Sequence, residues 1–227
     1  MWSEPERRFA RRWIARVSLG EGLGFALATA AAIAVLLGSL PPVAGLAATV
    51  AGGAAEGTVL ALAQHAAIRA NRPARAPWVI ATAGGAAVAW TLGMLPSTLG
   101  LDLASPVTWV LIVVGGILLL ASIPVAQAIV LRRRGAVRWA LVNAGAWAIA
   151  ILWTAAPSPL VDERTPVPVV AVLYVIAGIL MAVTVAVFTV AVAIRLFATP
   201  SPLGRRIAAG RAVDGGLGAT LHPELRQ

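Results

Sequence analysis

Two glutamates stand in stretches of sequence that otherwise carry no charge, and they are the first places to look for chemistry. Glu56 lies fourteen residues after Pro42 and thirteen before Arg69, near the middle of an apolar run. Gly52, Gly53 and Gly57 surround it, and Gly53 with Gly57 forms a GxxxG that lets a neighbouring helix approach closely. A charged side chain at the centre of a bilayer costs at least about 2.5 kcal/mol on insertion scales, so one that is kept has a reason. Two readings of this midplane polar site stand open. Glu56 is either a proton- or cation-responsive carboxylate in a pathway or pocket, or a protonated side chain hydrogen-bonded across the glycine contact.

Glu21, Gln64, His65 and Gln127 each fall about one turn inside an arginine: Arg16, Arg69 or Arg132. They are expected to form one polar layer at the cytoplasmic end of a helix bundle. In the plainer reading Glu21 pairs with Arg16 or Arg195 and the glutamines bridge helices; in the sharper one the layer is a cytoplasmic gate or a small-ligand site. Asn143 reads as an interhelical hydrogen bond. His65 invites an axial-ligand reading, but a bis-His haem needs a second membrane histidine, and His222 stands in the tail.

Several chemistries are excluded. Every one of the 18 basic residues is Arg, so a lysine Schiff base is impossible. There is no cysteine for thiolate, disulfide or nucleophile chemistry. No HExxH, GxSxG or P-loop occurs, and no clustered metal ligands; catalytic residues, metal and cofactor are all expected to be none. The net charge of +9 does not indicate nucleic acid, because the arginines sit in short clusters between apolar blocks.

The elements that must position these side chains follow from composition. The chain is 59% hydrophobic and 12% charged, against roughly half and a quarter in a soluble domain. Proline, glycine and arginine punctuation predicts an all-α integral membrane fold of six transmembrane helices. They run over Val17–Leu40, Val43–Ile68, Trp78–Leu95, Val107–Leu131, Trp139–Ala156 and Val167–Phe197, with Pro124 a kink in the fourth. Residues 1–16 read as a basic cytoplasmic arm, 17–199 as the transmembrane domain, and 200–227 as a basic tail without a fold of its own. Trp2, Trp13, Trp78 and Trp139 are expected as anchors at the cytoplasmic interface and Trp109 at the outer one, with Trp90, Trp147 and Trp153 packed deeper.

Orientation follows from the arginines. Seventeen of the eighteen fall on one side of this topology, leaving only Arg164 opposite. The positive-inside rule makes that side cytoplasmic, with both termini there, in a bacterial cytoplasmic (inner) membrane.

Helices 2–3 and 4–5 read as copies of one hairpin. Gln64 precedes Arg69 by five residues, as Gln127 precedes Arg132; Trp78 is followed eighteen residues on by Pro96-Ser97, as Trp139 is by Pro157-Ser158. Both copies begin and end on the same side, so the repeat is parallel, about an axis along the membrane normal. The same reasoning extends to a third, split hairpin from helices 6 and 1. In this numbering Glu56 matches Leu119, so the carboxyl is not repeated. The pattern Gly57, Gln64, Ile68-Arg69 and Trp78, with Gln127, Leu131-Arg132 and Trp139, resembles a class of uncharacterised bacterial multipass membrane proteins. That resemblance covers about half the chain. It implies architecture and no established activity.

Two functions are compatible with this inventory, with an intramembrane enzyme a distant third. A structural or accessory subunit would pack through its Gly/Ala-rich faces against another membrane protein or a second copy, with the bilayer as its other partner. A small-solute or proton-linked transporter, or its substrate-binding subunit, would use Glu56.

Overall fold

The computed structural model describes residues 2–132, 135–162 and 164–198. The proposed tail, 200–227, lies outside them, as do Arg133, Arg134, Glu163 and His222. All regular structure among the described residues is helical: α1 (Glu4–Leu37), α2 (Pro42–Ala67), α3 (Arg75–Thr98), α4 (Pro106–Leu131), α5 (Ala136–Ala150), the short α6 (Leu152–Ala155) and α7 (Val167–Ala193). A 3₁₀ turn (Ser158–Leu160) follows α6, and a π-helical turn (Ile194–Ala198) ends the last helix.

Six helical spans are long and apolar enough to cross a membrane, the fifth being Ala136–Leu160. The outward surface agrees with this: Leu23 and Leu27 on α1 and Val110, Val113 and Ile117 on α4 are each about half exposed or more, an apolar girdle that water does not tolerate at this extent. The chain is therefore compatible with a multipass membrane protein.

Prolines set where the helices begin. Pro42, Pro106 and Pro168 occupy the first turns of α2, α4 and α7, where the missing N–H has no intrahelical partner to lose. Arg132 with φ +44° ends α4, and Gly135 with φ +97° turns the chain into α5. A side chain at Gly135 would also meet Leu196 Cδ2 at 2.9 Å.

The structure departs from the expected boundaries in three places. α1 begins at Glu4, not Val17, so the basic arm is helical. Its start is fixed by Glu6 Oε2, which accepts from the Ser3 N–H at 2.7 Å, and its first turns bury Phe9, Ala10 and Trp13. α3 runs past Pro96 to Thr98, since a proline in the last turn removes little of the helix. α5 breaks at Ile151, earlier than Ala156, and continues as α6.

The spans follow one another round a ring in chain order. α1 packs on α2, α2 on α3, α3 on α4, α4 on α5, and α5 on α7; α7 closes the ring on α1. Small residues set these approaches. A Cβ on Gly20 would meet Ala63 Cβ at 2.2 Å, one on Gly57 would meet Ala86 Cβ at 2.6 Å, and one on Gly85 would meet Ile123 Cα at 2.8 Å.

Candidate functional site

The arginine-rich end of the ring is filled. Trp13, Trp78, Trp139 and Phe197 have no exposed surface. Their rings contact one another at centroid distances of 5.8 Å (Trp139–Phe197), 5.9 Å (Trp13–Trp139), 6.1 Å (Trp78–Trp139 and Trp13–Phe197) and 6.4 Å (Trp78–Phe197). This corrects the expectation that Trp13, Trp78 and Trp139 anchor the interface. An indole goes to the headgroups to satisfy its N–H, and here each N–H is satisfied inside. Trp78 donates to Gln64 Oε1 at 3.2 Å, Trp139 to Gln127 Oε1 at 3.0 Å, and Trp13 to Thr189 Oγ1 at 3.2 Å. Trp2 and Trp109, by contrast, are exposed.

Gln127 is the hub of this layer. Its amide nitrogen donates to Gln64 Oε1 and to Thr82 Oγ1, both at 2.9 Å. Its carbonyl accepts from Trp139 Nε1 and from Asn143 Nδ2 at 3.1 Å. Two donor protons and two lone pairs are thus all used, which is the full capacity of a glutamine side chain. Gln64, Gln127, Thr82 and Asn143 are all buried, and the network joins α2, α3, α4 and α5. Arg12 Nε and Arg16 Nη1 on α1 donate to the Ala67 and Ala66 carbonyls, so α1 caps the C-terminus of α2 with positive charge.

One turn further from the arginines the ring is hollow. Leu60, Ala86, Pro124 and Trp147, each three or four residues beyond Gln64, Thr82, Gln127 and Asn143 along the helices, line a cavity of about 490 Å³. The cavity extends to Leu36, Thr154 and Val170, near the opposite ends of α1, α6 and α7. The aromatic and amide layers therefore form a plug that is its floor, and it extends toward the arginine-poor end.

Glu56 and Glu21 both line this cavity near its floor. Glu56 Oε2 accepts from Trp90 Nε1 at 2.6 Å. Two glycines make the arrangement possible. A Cβ on Gly53 would fall 1.9 Å from Trp90 Cδ1, and one on Gly24 would fall 2.9 Å from the Glu56 carbonyl oxygen. Trp90 thus crosses α2 in the Gly53 slot, and α1 lies flush on α2 at Gly24.

Glu21 lies one turn from Gly24 on the same face of α1 and has no exposed surface. Among the described residues no N–H or hydroxyl reaches either of its carboxyl oxygens; what lies against them is the Glu56 carboxyl. The expected layer therefore divides. Gln64 and Gln127 bond to each other in the plug, while Glu21 joins Glu56 above it. Arg16, one of the two expected partners of Glu21 with Arg195, is turned to the Ala66 carbonyl. His65 faces neither group: its Nε2 lies 3.2 Å from the Pro73 carbonyl in the α2–α3 turn. Asn143 sits in the plug, on Gln127.

Sequence reasoning missed four contributors: Trp90, Thr82, Thr189 and Phe197. The position of Trp90 had a signal in Gly53, since a glycine one turn from a buried carboxyl leaves room for a large ring from the next helix. Phe197 had none, because the π-helical turn that points it inward leaves no mark on an apolar run.

Among the described residues no group of three His, Cys, Asp or Glu side chains comes together to hold a metal ion. The chemistry available to the site is that of two carboxyl groups in an apolar, aromatic-walled chamber: holding and releasing a proton, and compensating a positive charge. No protein-family model matches the chain, and neither a curated protein nor a solved structure matches it.

Proposed function

We propose that this chain is a proton-linked carrier of small solutes in a bacterial cytoplasmic membrane, with both termini cytoplasmic, and that Glu21 and Glu56 are its proton-binding pair. One observation carries the reading. Two glutamates from adjacent helices meet at the bottom of a cavity that leads away from the arginine-rich end and is closed beneath by the aromatic and amide layers. A solute site near mid-membrane that is blocked toward one side suits alternating access. Two buried carboxyls facing one another are compatible when they are protonated, so the pair couples protonation to whatever occupies the cavity.

The accessory reading has fewer free Gly faces to use, because Gly20, Gly24, Gly53, Gly57 and Gly85 are taken up in packing this chain on itself. What favours it still is a second set: Gly84, Gly115, Gly116 and Gly145 have nothing within 4 Å of their Cβ positions. They leave room for another membrane protein or a second copy to approach, and mass measurement of the gently solubilised protein tests for either.

The parallel repeat is part of this proposal. Three hairpins, α2–α3, α4–α5 and the split α7–α1, would surround an axis along the membrane normal. The indole bonds Trp78–Gln64, Trp139–Gln127 and Trp13–Thr189 support it. Eight residues before each acceptor stand Glu56, Leu119 and Met181, and eight after each Trp stand Glu21, Ala86 and Trp147; all six line the cavity. The two glutamates then occupy two different kinds of position, each in a single copy.

The test is a flux measurement. In everted membrane vesicles holding an acid interior, adding each of a panel of cationic, neutral and anionic small solutes is expected to dissipate the pH gradient for at least one class. Glu56→Gln should abolish that response while the protein remains in the membrane. A panel with no response in any class, or a response that survives Glu56→Gln, sinks the reading.

A further inference from the structure

We propose that the cavity binds a lipophilic organic monocation, an apolar body with a single positive charge, and that its arrival displaces one proton from the Glu21–Glu56 pair. This rests on the carrier reading for the role of the pair, and it goes further by assigning the ligand class.

The walls exclude other classes. No Arg, His or Asp lines the cavity among the described residues, so an anion would meet two carboxyls and no compensating charge. Apart from the carboxyls and the two indoles, the only side-chain hydrogen-bonding groups that line it among the described residues are Thr29, Thr154 and Tyr174. The Thr154 hydroxyl already donates to the Ile151 carbonyl at 2.7 Å. A sugar or a zwitterionic amino acid would leave most of its polar atoms unpaired there, at about 1–3 kcal/mol each. A hydrated metal ion needs six or so oxygen ligands, and the two carboxyls stand alone.

What the walls offer suits a greasy cation. Phe25, Trp90, Trp147 and Tyr174 come from four different spans, and the last three pack around the buried cluster containing Phe25 and Met181. Ring faces attract a cation at about 0.5–2 kcal/mol each, more when it is desolvated. Trp90 holds its N–H on Glu56, so an aromatic face and a carboxyl are fixed side by side. Met94 and Met181 add adaptable apolar surface. The volume of about 490 Å³ falls within the range that takes drug-sized molecules, about 300–1,000 Å³.

The charge balance is simple. With both carboxyls protonated the pair is neutral, in keeping with an apolar chamber. A monocation enters, one carboxyl ionises against it, and its proton is released to water. One positive charge has entered and one has left, so the occupied site is again neutral overall.

The experiment compares two ions of one shape and opposite charge. Tetraphenylphosphonium and tetraphenylborate are titrated into the full-length protein in detergent, in weak buffer with a pH indicator. The phosphonium is expected to bind more tightly by at least about tenfold, with about one proton released per ion bound. Glu56→Gln should weaken it by about tenfold or more and reduce the proton release. Equal affinity for the two ions, or phosphonium binding without proton release, overturns the proposal, and both are read on the unaltered chain. Phosphonium binding with proton release but no vesicle flux would overturn the carrier reading alone. Vesicle flux with a neutral or anionic solute and no phosphonium preference would overturn the ligand class alone.

Discussion

Gln127 and Glu21 are both completely buried polar side chains in the same helix ring, and their surroundings are opposite. Gln127 makes four hydrogen bonds and has no capacity left. Glu21 has, among the described residues, no N–H or hydroxyl on either oxygen and faces a second carboxyl across the α1–α2 contact. A polar group that is fully partnered contributes to holding helices together. One kept in a low-dielectric site without such a donor costs stability, and in the proposed carrier it is kept for what it can exchange. In the proposed carrier the plug is thus the structural half of the molecule, and the carboxyl pair above it the chemical half.

Four substitutions test that contrast, and they are expected to differ in size and in sign. Gln127→Leu should be the most damaging, since it breaks four interhelical bonds worth on average about 0.6 kcal/mol each, or about 2–3 kcal/mol together. Reversible unfolding in mixed detergent measures it; a loss below about 0.5 kcal/mol would mean that the network holds nothing. Gly53→Ala should cost about 2 kcal/mol, because its methyl group would occupy the Trp90 ring and expel the donor from Glu56. The same variant should lose vesicle flux, and an unchanged melting temperature would show that Trp90 leaves its slot freely.

Glu21→Leu is expected to go the other way, leaving stability unchanged or raised by up to about 1 kcal/mol while abolishing flux. Strong destabilisation there would place Glu21 with the plug residues and erase the contrast. The smallest effect belongs to the loop before α7. The Thr165 hydroxyl and then the Arg164 N–H hold the Asp162 carboxyl below its ordinary value of 3.8. A lowered folded value means the turn's contribution is complete above 3.8 and is lost as pH falls through the lower value. The Arg164 amide resonance should titrate with a midpoint below 3.8, and Asp162→Ala should remove that titration without moving the melting temperature.

The legible part of this molecule was what hydropathy and charge control. All six apolar spans could be read, because a run of some twenty apolar residues has few alternatives. Glu56, Gln64 and Gln127 stood out for the same reason, as polar residues where polar residues are expensive. Which neighbour each would face was not legible. Glu21 lies one turn inside Arg16 by count, but its face of α1 is set by Gly24 docking on α2, a tertiary fact. Trp13, Trp78 and Trp139 were misplaced because an indole suits a headgroup layer or a buried acceptor equally well, and only the ring's closure decides between them. The basic start of α1 read as an arm because arginines mask the apolar stripe of Phe9, Ala10 and Trp13 beneath them.

The crowding of three indoles at the arginine-rich end also has an optical consequence. Rings with centroids 5.9 and 6.1 Å apart, held at fixed angles in a chiral setting, mix their electronic transitions and give an intense near-ultraviolet circular dichroism band. That band depends on fixed tertiary packing and collapses when the packing loosens. In the proposed carrier any step that opens this end to water must separate those rings, so the band would report on that step without a label.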